Sequence, residues 1–266
     1  MGYSALLKKA SQVGAFFMSA LFLIPAEAYC PAPGKLSSAK VQRVVDGDTV
    51  RLQDGRNIRL IGLNAPEMGW QGRSAEPFAE AARKRLAALV AANDGRVGVQ
   101  VGREAKDRYG RTLAHLYDRD GRNLEAQLLA EGLGYRVAVA PNVALADCQL
   151  DAERQAREGR LGLWRKDPVI DASQIESGGF ALIRGRVERV ERNRGGIWLE
   201  LQGSLVLRVA PQFQDSFDLK SLQALAGRSV EARGWVIDRA RRGGVKTGQA
   251  RWMLPLTHEA MLEVLP

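Results

Sequence analysis

KVQRVVDGDTVRLQDGRNIRLIGL, residues 40–63, alternates apolar and polar side chains around two tight-turn signals, Asp46-Gly47 and Asp54-Gly55. Alternation sends every second side chain to the same face of a sheet, and Asp-Gly readily adopts the backbone of a short hairpin turn. Three tightly joined strands are therefore predicted over 40–45, 49–53 and 57–63. Residues 76–92 then change period: Phe78, Ala82, Leu86 and Leu89 form one apolar helical face, with Ser74 placed to cap it and Asn93-Asp94-Gly95 to stop it. Residues 97–103 and 112–117 return to strand character. Helices are expected over 124–131, ended by Gly132, and over 144–158, ended by Gly159, and Trp164 closes the region. Three strands, a helix, two strands and further helices describe an α+β unit, a small five-stranded barrel with helices packed outside.

The remainder of the 266 residues is punctuated at Lys166-Asp167-Pro168 and Ser177-Gly178-Gly179. Strand patterns then dominate, at 180–190, 197–209, 229–237 and 250–256. The expected division is a lead-in at 29–39, a first domain at 40–166, a linker at 167–179 and a mostly β second domain at 180–266. The first 28 residues place Lys8 and Lys9 before an apolar run and Ala26-Glu27-Ala28, the pattern of a cleaved signal peptide. An exported, periplasmic or extracellular protein is the expectation, with no membrane association after cleavage. No later segment approaches membrane length. Two cysteines, Cys30 and Cys148, leave two readings open: a single disulfide in an oxidising compartment, or Cys148 packed with Leu145 and Ala152 on a helix face.

Net charge is +9, which favours an anionic partner such as nucleic acid or anionic lipid. The excess is uneven: residues 29–166 carry a net +6 and residues 167–266 a net +2. Within the first region, Asp46-Gly47-Asp48-Thr49 could hold a hard cation, although Asp-Gly alone more often marks a plain hairpin turn. Arg59 falls on a strand face with Ile61 and Leu63, an unusual place for a guanidinium unless it reaches a polar cavity or an anion. Glu67 follows Pro66 at the strand end, where a carboxylate beside a cation could orient and deprotonate water; in isolation it reads as solvent-facing. Lys106-Asp107-Arg108-Tyr109-Gly110-Arg111 is a basic loop with one aromatic, suited to bracket a phosphate and stack a base, or simply a solvated charge run. Neither histidine, His115 nor His258, has a partner motif, and both read as structural.

The order of these motifs carries more than any one of them. VVDGDTV (44–50), RLIGLNAPE (59–67), KDRYGR (106–111), the helix with Glu125 and Gly132, and GLW (162–164) resemble the staphylococcal nuclease (thermonuclease) family over residues 40–164. The resemblance implies an OB-fold barrel and calcium-dependent hydrolysis of DNA and RNA phosphodiesters, with single-stranded or frayed substrate favoured, by a monomer without a stable protein partner. It implies metal ligation by Asp48, Asn64 and the backbone carbonyl of Ala65, with Asp46 behind them. Glu67 would activate water, Arg59 and Arg111 would grip the phosphate, and Arg108 and Tyr109 would contact substrate. Two departures stand out. Asn64 replaces the family's more usual aspartate and removes a negative charge from the metal shell. The run Arg136-Val137-Ala138-Val139-Ala140 lacks the tyrosines that line the family's nucleotide pocket. A binding module on a nuclease scaffold with weakened catalysis is the alternative reading.

The second domain is similar to another small, OB-like β-barrel. Arg239, Arg241, Arg242 and Lys246 would form a basic loop, and Trp198, Trp235 and Trp252 could offer stacking faces or fill the core. A structural or substrate-docking accessory without chemistry is expected there.

Overall fold

In the computed structural model the described residues are 29–266 except Trp70, Gln71, Arg73, Gly243, Gly244, Lys246 and Thr247. The expected leader and part of the basic loop at 239–246 lie outside them. Among the described residues no helix is long and apolar enough to cross a membrane.

The first unit runs β1 (Ser37–Val44), β2 (Thr49–Leu52), β3 (Asn57–Leu60), β4 (Leu63–Asn64), α1 (Ala79–Ala92), β5 (Arg96–Lys106), β6 (Thr112–Tyr117), α2 (Leu124–Ala130), β7 (Tyr135–Arg136) and α3 (Ala146–Glu158). Strands close as a barrel in the order β1-β2-β3-β6-β5, with β3 and β6 parallel and the other neighbours antiparallel. Its core holds Val50, Leu52, Ile58, Leu60, Leu116 and, from the helices, Leu86 and Leu128. This is the expected five-stranded barrel with helices outside.

Two local details differ from expectation, and of the two readings left open for the cysteines the disulfide is the one found. The strand at 57–63 stops at Leu60, because the chain turns at Ile61-Gly62 before β4. Gly62 holds φ +84°, and a Cβ there would lie 1.9 Å from Gln149 Oε1, whose amide in turn donates to Ile61 O at 3.2 Å. Ser74 does not cap α1; Phe78, at φ 68°, precedes the helix without a side-chain cap. Cys30 and Cys148 form a disulfide with Cα atoms 5.4 Å apart, tying the lead-in to α3.

The second unit contains β8 (Val169–Asp171), β9 (Gly179–Asn193), β10 (Gly196–Leu201), β11 (Leu205–Val209), α4 (Leu219–Gln223), β12 (Ser229–Asp238), β13 (Trp252–Leu256) and β14 (Leu262–Val264). Pairing of β12 with β9 closes five of its strands, β9-β10-β11-β13-β12, with β11 and β13 parallel. The order and the position of the parallel pair repeat those of the first barrel, as an OB-like module requires. The run 197–209 is two strands, not one, bent at Gly203 (φ +91°). The stretch 167–179 is no free tether, since β8 pairs parallel with β9.

A seam joins the two barrels. Leu182 of β9 packs with Ala156 and Trp164, flanked by Tyr135, Val169 and Phe180. Beside it Arg233 donates to Glu153 at 2.5 Å, and Glu231 accepts from Arg157 at 2.7 and 3.0 Å. Both glutamates and Arg233 are almost fully buried. Arg136 Nη2 also crosses, donating to Ala260 O at 2.6 Å.

Candidate active site

Barrel register assembles the site. Antiparallel pairing sets Thr49 of β2 opposite Arg59 of β3, so the preceding Asp48 reaches the far end of β3, where Leu60 N donates to Asp48 O at 2.8 Å. Parallel pairing sets Arg59 beside Leu113 of β6, and Arg111 sits just before that strand. Residues from three separated segments thus meet at one end of the barrel. Gly47 permits this approach. A Cβ on it would lie 2.6 Å from the Ala65 Cβ and 2.7 Å from the Ala82 Cβ. The Asp46–Asp48 turn could not seat against α1 with a larger residue.

Asp48 is buried. Its Oδ2 accepts from Ala65 N at 2.9 Å and pairs with Arg59 Nη2 at 3.0 Å, while Thr49 Oγ1 donates to its Oδ1 at 3.1 Å. Asp46 Oδ1 accepts from Asp48 N at 2.9 Å and so shapes the turn. Burial pushes the Asp48 carboxyl up to about 6, with Arg59 opposing the shift and Asp46 adding to it. The carboxylate is thus desolvated by more than its one cationic partner, Arg59, offsets.

Arg59 is half-buried and does not point at open solvent. Nη1 donates to the carbonyls of Leu60 and Leu63 at 2.9 and 2.7 Å, and Nη2 donates to Asn64 Oδ1 at 3.3 Å. One guanidinium nitrogen thus serves both Asp48 and Asn64. Those two oxygens converge on a single cation, and Ala65 adjoins them. Among the described residues no cluster of three or more His, Cys, Asp or Glu is placed to hold a metal. A metal here would draw on one carboxylate, one amide and one backbone carbonyl, hard oxygen donors that fit calcium better than a thiophilic ion.

Glu67 is exposed at the start of a loop closed by Glu76, which accepts from Glu67 N at 2.9 Å and donates its own N–H to Glu67 O at 3.0 Å. Partial desolvation raises the Glu67 carboxyl; Asp46 and Glu76 add to this, while Arg59 and Arg111 oppose it. Both arginines are thus its electrostatic neighbours. Arg111 is held by Asp107, which accepts from its Nε at 2.7 Å and from its backbone N–H at 2.9 Å. Arg108 lies over the Tyr109 ring at 4.7 Å and donates to its hydroxyl at 2.6 Å. Tyr109 is 68% exposed. Arg59, Arg108, Tyr109 and Arg111 line one cleft of about 350 Å³, with Leu113, Val137 and Val139 as its aliphatic floor.

Asp107 and Glu76 were not singled out by sequence reasoning. For Asp107 a signal exists in its i, i+4 spacing to Arg111 within the basic loop. Glu76 carries none, because its contact depends on closure of the 67–76 loop. Of the tryptophans, Trp252 is buried, Trp198 is half-buried with Nε1 donating to Asn193 Oδ1 at 3.0 Å, and Trp235 is 41% exposed and lines the cleft. His115 is structural, as expected: it is buried and hydrogen-bonded to Glu125 at 3.1 Å.

A family model described as staphylococcal nuclease homologue matches residues 57–166. That span includes Arg59, Asn64, Ala65, Glu67, Arg108, Tyr109 and Arg111, whereas Asp46 and Asp48 reach the site through barrel pairing just upstream of it. A thermonuclease of Staphylococcus intermedius is 32% identical over 133 residues, covering 47% of this chain and 75% of the relative. A micrococcal nuclease of Shigella flexneri is 35% identical over 143 residues, covering 48% and 74% respectively. A thermonuclease of Staphylococcus hyicus is 31% identical over 129 residues, with 47% and 74% covered. The second barrel lies outside the family match. On the strength of the barrel, the site and these relatives, the chain belongs to the staphylococcal nuclease family, and its function is that of a nuclease.

Proposed function

We propose that the protein is an exported, monomeric, calcium-dependent nuclease that hydrolyses phosphodiester bonds of DNA and RNA. One observation carries the reading. The Glu67 carboxylate stands in the field of both Arg59 and Arg111, which share a cleft beside the convergent oxygens of Asp48 and Asn64. The disulfide and the expected leader support export to an oxidising compartment.

Asp48, Asn64 and the Ala65 carbonyl would hold the calcium, which when bound neutralises phosphate charge and makes water more acidic. Arg59 and Arg111 donate to the non-bridging phosphate oxygens as negative charge grows on them. Glu67 accepts a proton from the attacking water while the water oxygen bonds to phosphorus; the bond to the leaving nucleotide oxygen breaks, and that oxygen takes up a proton from solvent. The raised affinity of that carboxyl for a proton suits it to this task. Asp107 keeps Arg111 aimed, and Arg108 with Tyr109 contacts the flanking nucleotide.

The test is cleavage of denatured DNA and of RNA by the full chain, with calcium or with chelator, beside Glu67→Gln. Loss of a general base costs roughly 10²–10⁴-fold in turnover. Activity that survives both chelation and the substitution would sink the mechanism. Calcium-independent binding with no cleavage under any metal would instead favour a catalytically weakened binding module.

A further inference from the structure

Along β12 the side chains of Glu231, Arg233 and Trp235 alternate onto the outer face of the second barrel. The first two are consumed by buried ion pairs with Arg157 and Glu153. Trp235, two residues further, remains 41% exposed and forms a wall of the cleft that holds Arg59, Arg111 and Tyr109. Its indole is braced from behind. Phe180 meets it edge-on at 5.3 Å, Tyr135 stacks on Phe180 at 5.6 Å, and Trp164 meets Tyr135 at 5.6 Å. From the first barrel the cleft takes Leu113, Val137 and Val139, which are apolar but lack a flat π face, and Tyr109, whose ring already carries the Arg108 guanidinium at 4.7 Å. Cations for a phosphate and an ordered aromatic for a base therefore occupy one cavity but come from different barrels.

We propose that Trp235 is the stacking platform for an unpaired nucleobase of the substrate, so that the second barrel completes the nuclease cleft. The proposal rests on the nuclease reading above. Bases inside a duplex stack on one another, so an indole wall selects single-stranded or frayed nucleic acid. Phosphate contacts by the arginines set position without reading the base, and Trp235 supplies affinity that any base can satisfy.

The experiment uses the full chain with Trp235→Ala, Trp235→Phe and Trp235→Leu. Binding of a labelled single-stranded DNA oligonucleotide is measured in chelator, and kcat and KM are measured in calcium. Trp235→Ala is expected to weaken binding about tenfold and to raise KM more than it lowers kcat. Phenylalanine should restore most of the affinity, whereas leucine, apolar without a ring, should not. An oligonucleotide lacking its bases should bind wild type and Trp235→Ala alike. Unchanged binding and KM in Trp235→Ala, or equal rescue by leucine and phenylalanine, overturns the platform. If the alanine variant does not fold, the leucine–phenylalanine pair decides. Wild type that binds but never cleaves fails the nuclease reading alone, while the binding series still judges Trp235.

Discussion

At the scale of single residues, the proposed calcium site turns on Asp48 and Asn64. The carboxyl of Asp48 is raised to about 6 mainly by burial, so the folded, metal-free protein binds a proton more tightly than the unfolded chain does. Its effect on metal-free stability is therefore favourable below the unfolded value near 4 and is lost as pH rises through about 6. Metal ligation has the opposite requirement, because the proton must leave. Apparent calcium affinity should be flat above pH 7 and fall about tenfold per unit below pH 6, as titration calorimetry at a series of pH values would register. Asn64→Asp should lower the calcium concentration needed for half-maximal cleavage, since ligand charge sets affinity at such sites; an unchanged requirement would remove Asn64 from the shell. The roles proposed for these residues were suggested by motif order, but the geometry was not. That Arg59 Nη2 joins Asp48 to Asn64 depends on a turn at Ile61-Gly62 that strand alternation continues straight through.

At the scale of elements, the disulfide between Cys30 and Cys148 spans 118 residues and pins the segment before β1 onto α3. Replacing both cysteines by serine should lower stability by about 2–5 kcal/mol in urea unfolding, most of it through freedom regained by the unfolded chain. Barrel closure does not need the bridge, so cleavage at low temperature should persist. Much at this level was legible in the amino-acid sequence. Thr112–Tyr117 matches its expected span, and the Asp46-Gly47 turn falls between β1 and β2 as its chemistry demands. Residues 197–209 misled because the bend at Gln202-Gly203-Ser204 interrupts two apolar strands without Pro, Asn or Asp. The start of α1 misled because Ser74 offered a capping hydroxyl, whereas the chain turns into the helix at Phe78. Local signals found the strands; they could not reveal which tryptophan the barrel would leave outside.

At the scale of the whole molecule, two barrels of like strand order are joined by charge as well as by apolar packing. Arg233 and Glu153 lie 80 residues apart, and no spacing rule links them. Arg233→Ala should cost about 3–5 kcal/mol, because it leaves the buried Glu153 carboxylate without its charge partner, and thermal unfolding would report the loss. Arg233→Met, which also strands Glu153 while keeping bulk, should recover little. The site was legible as far as the first barrel extends, and the Trp235 wall was not, since it exists only once the second barrel has docked. The seam also answers whether the enzyme is divisible. A chain cut after Lys166 would keep every residue of the family match, yet it would expose Trp164 and leave Glu153 and Arg157 without the partners that neutralise them. What looks like a catalytic module with an appendage is closer to one indivisible body, and a shorter nuclease could not be had from it by subtraction alone.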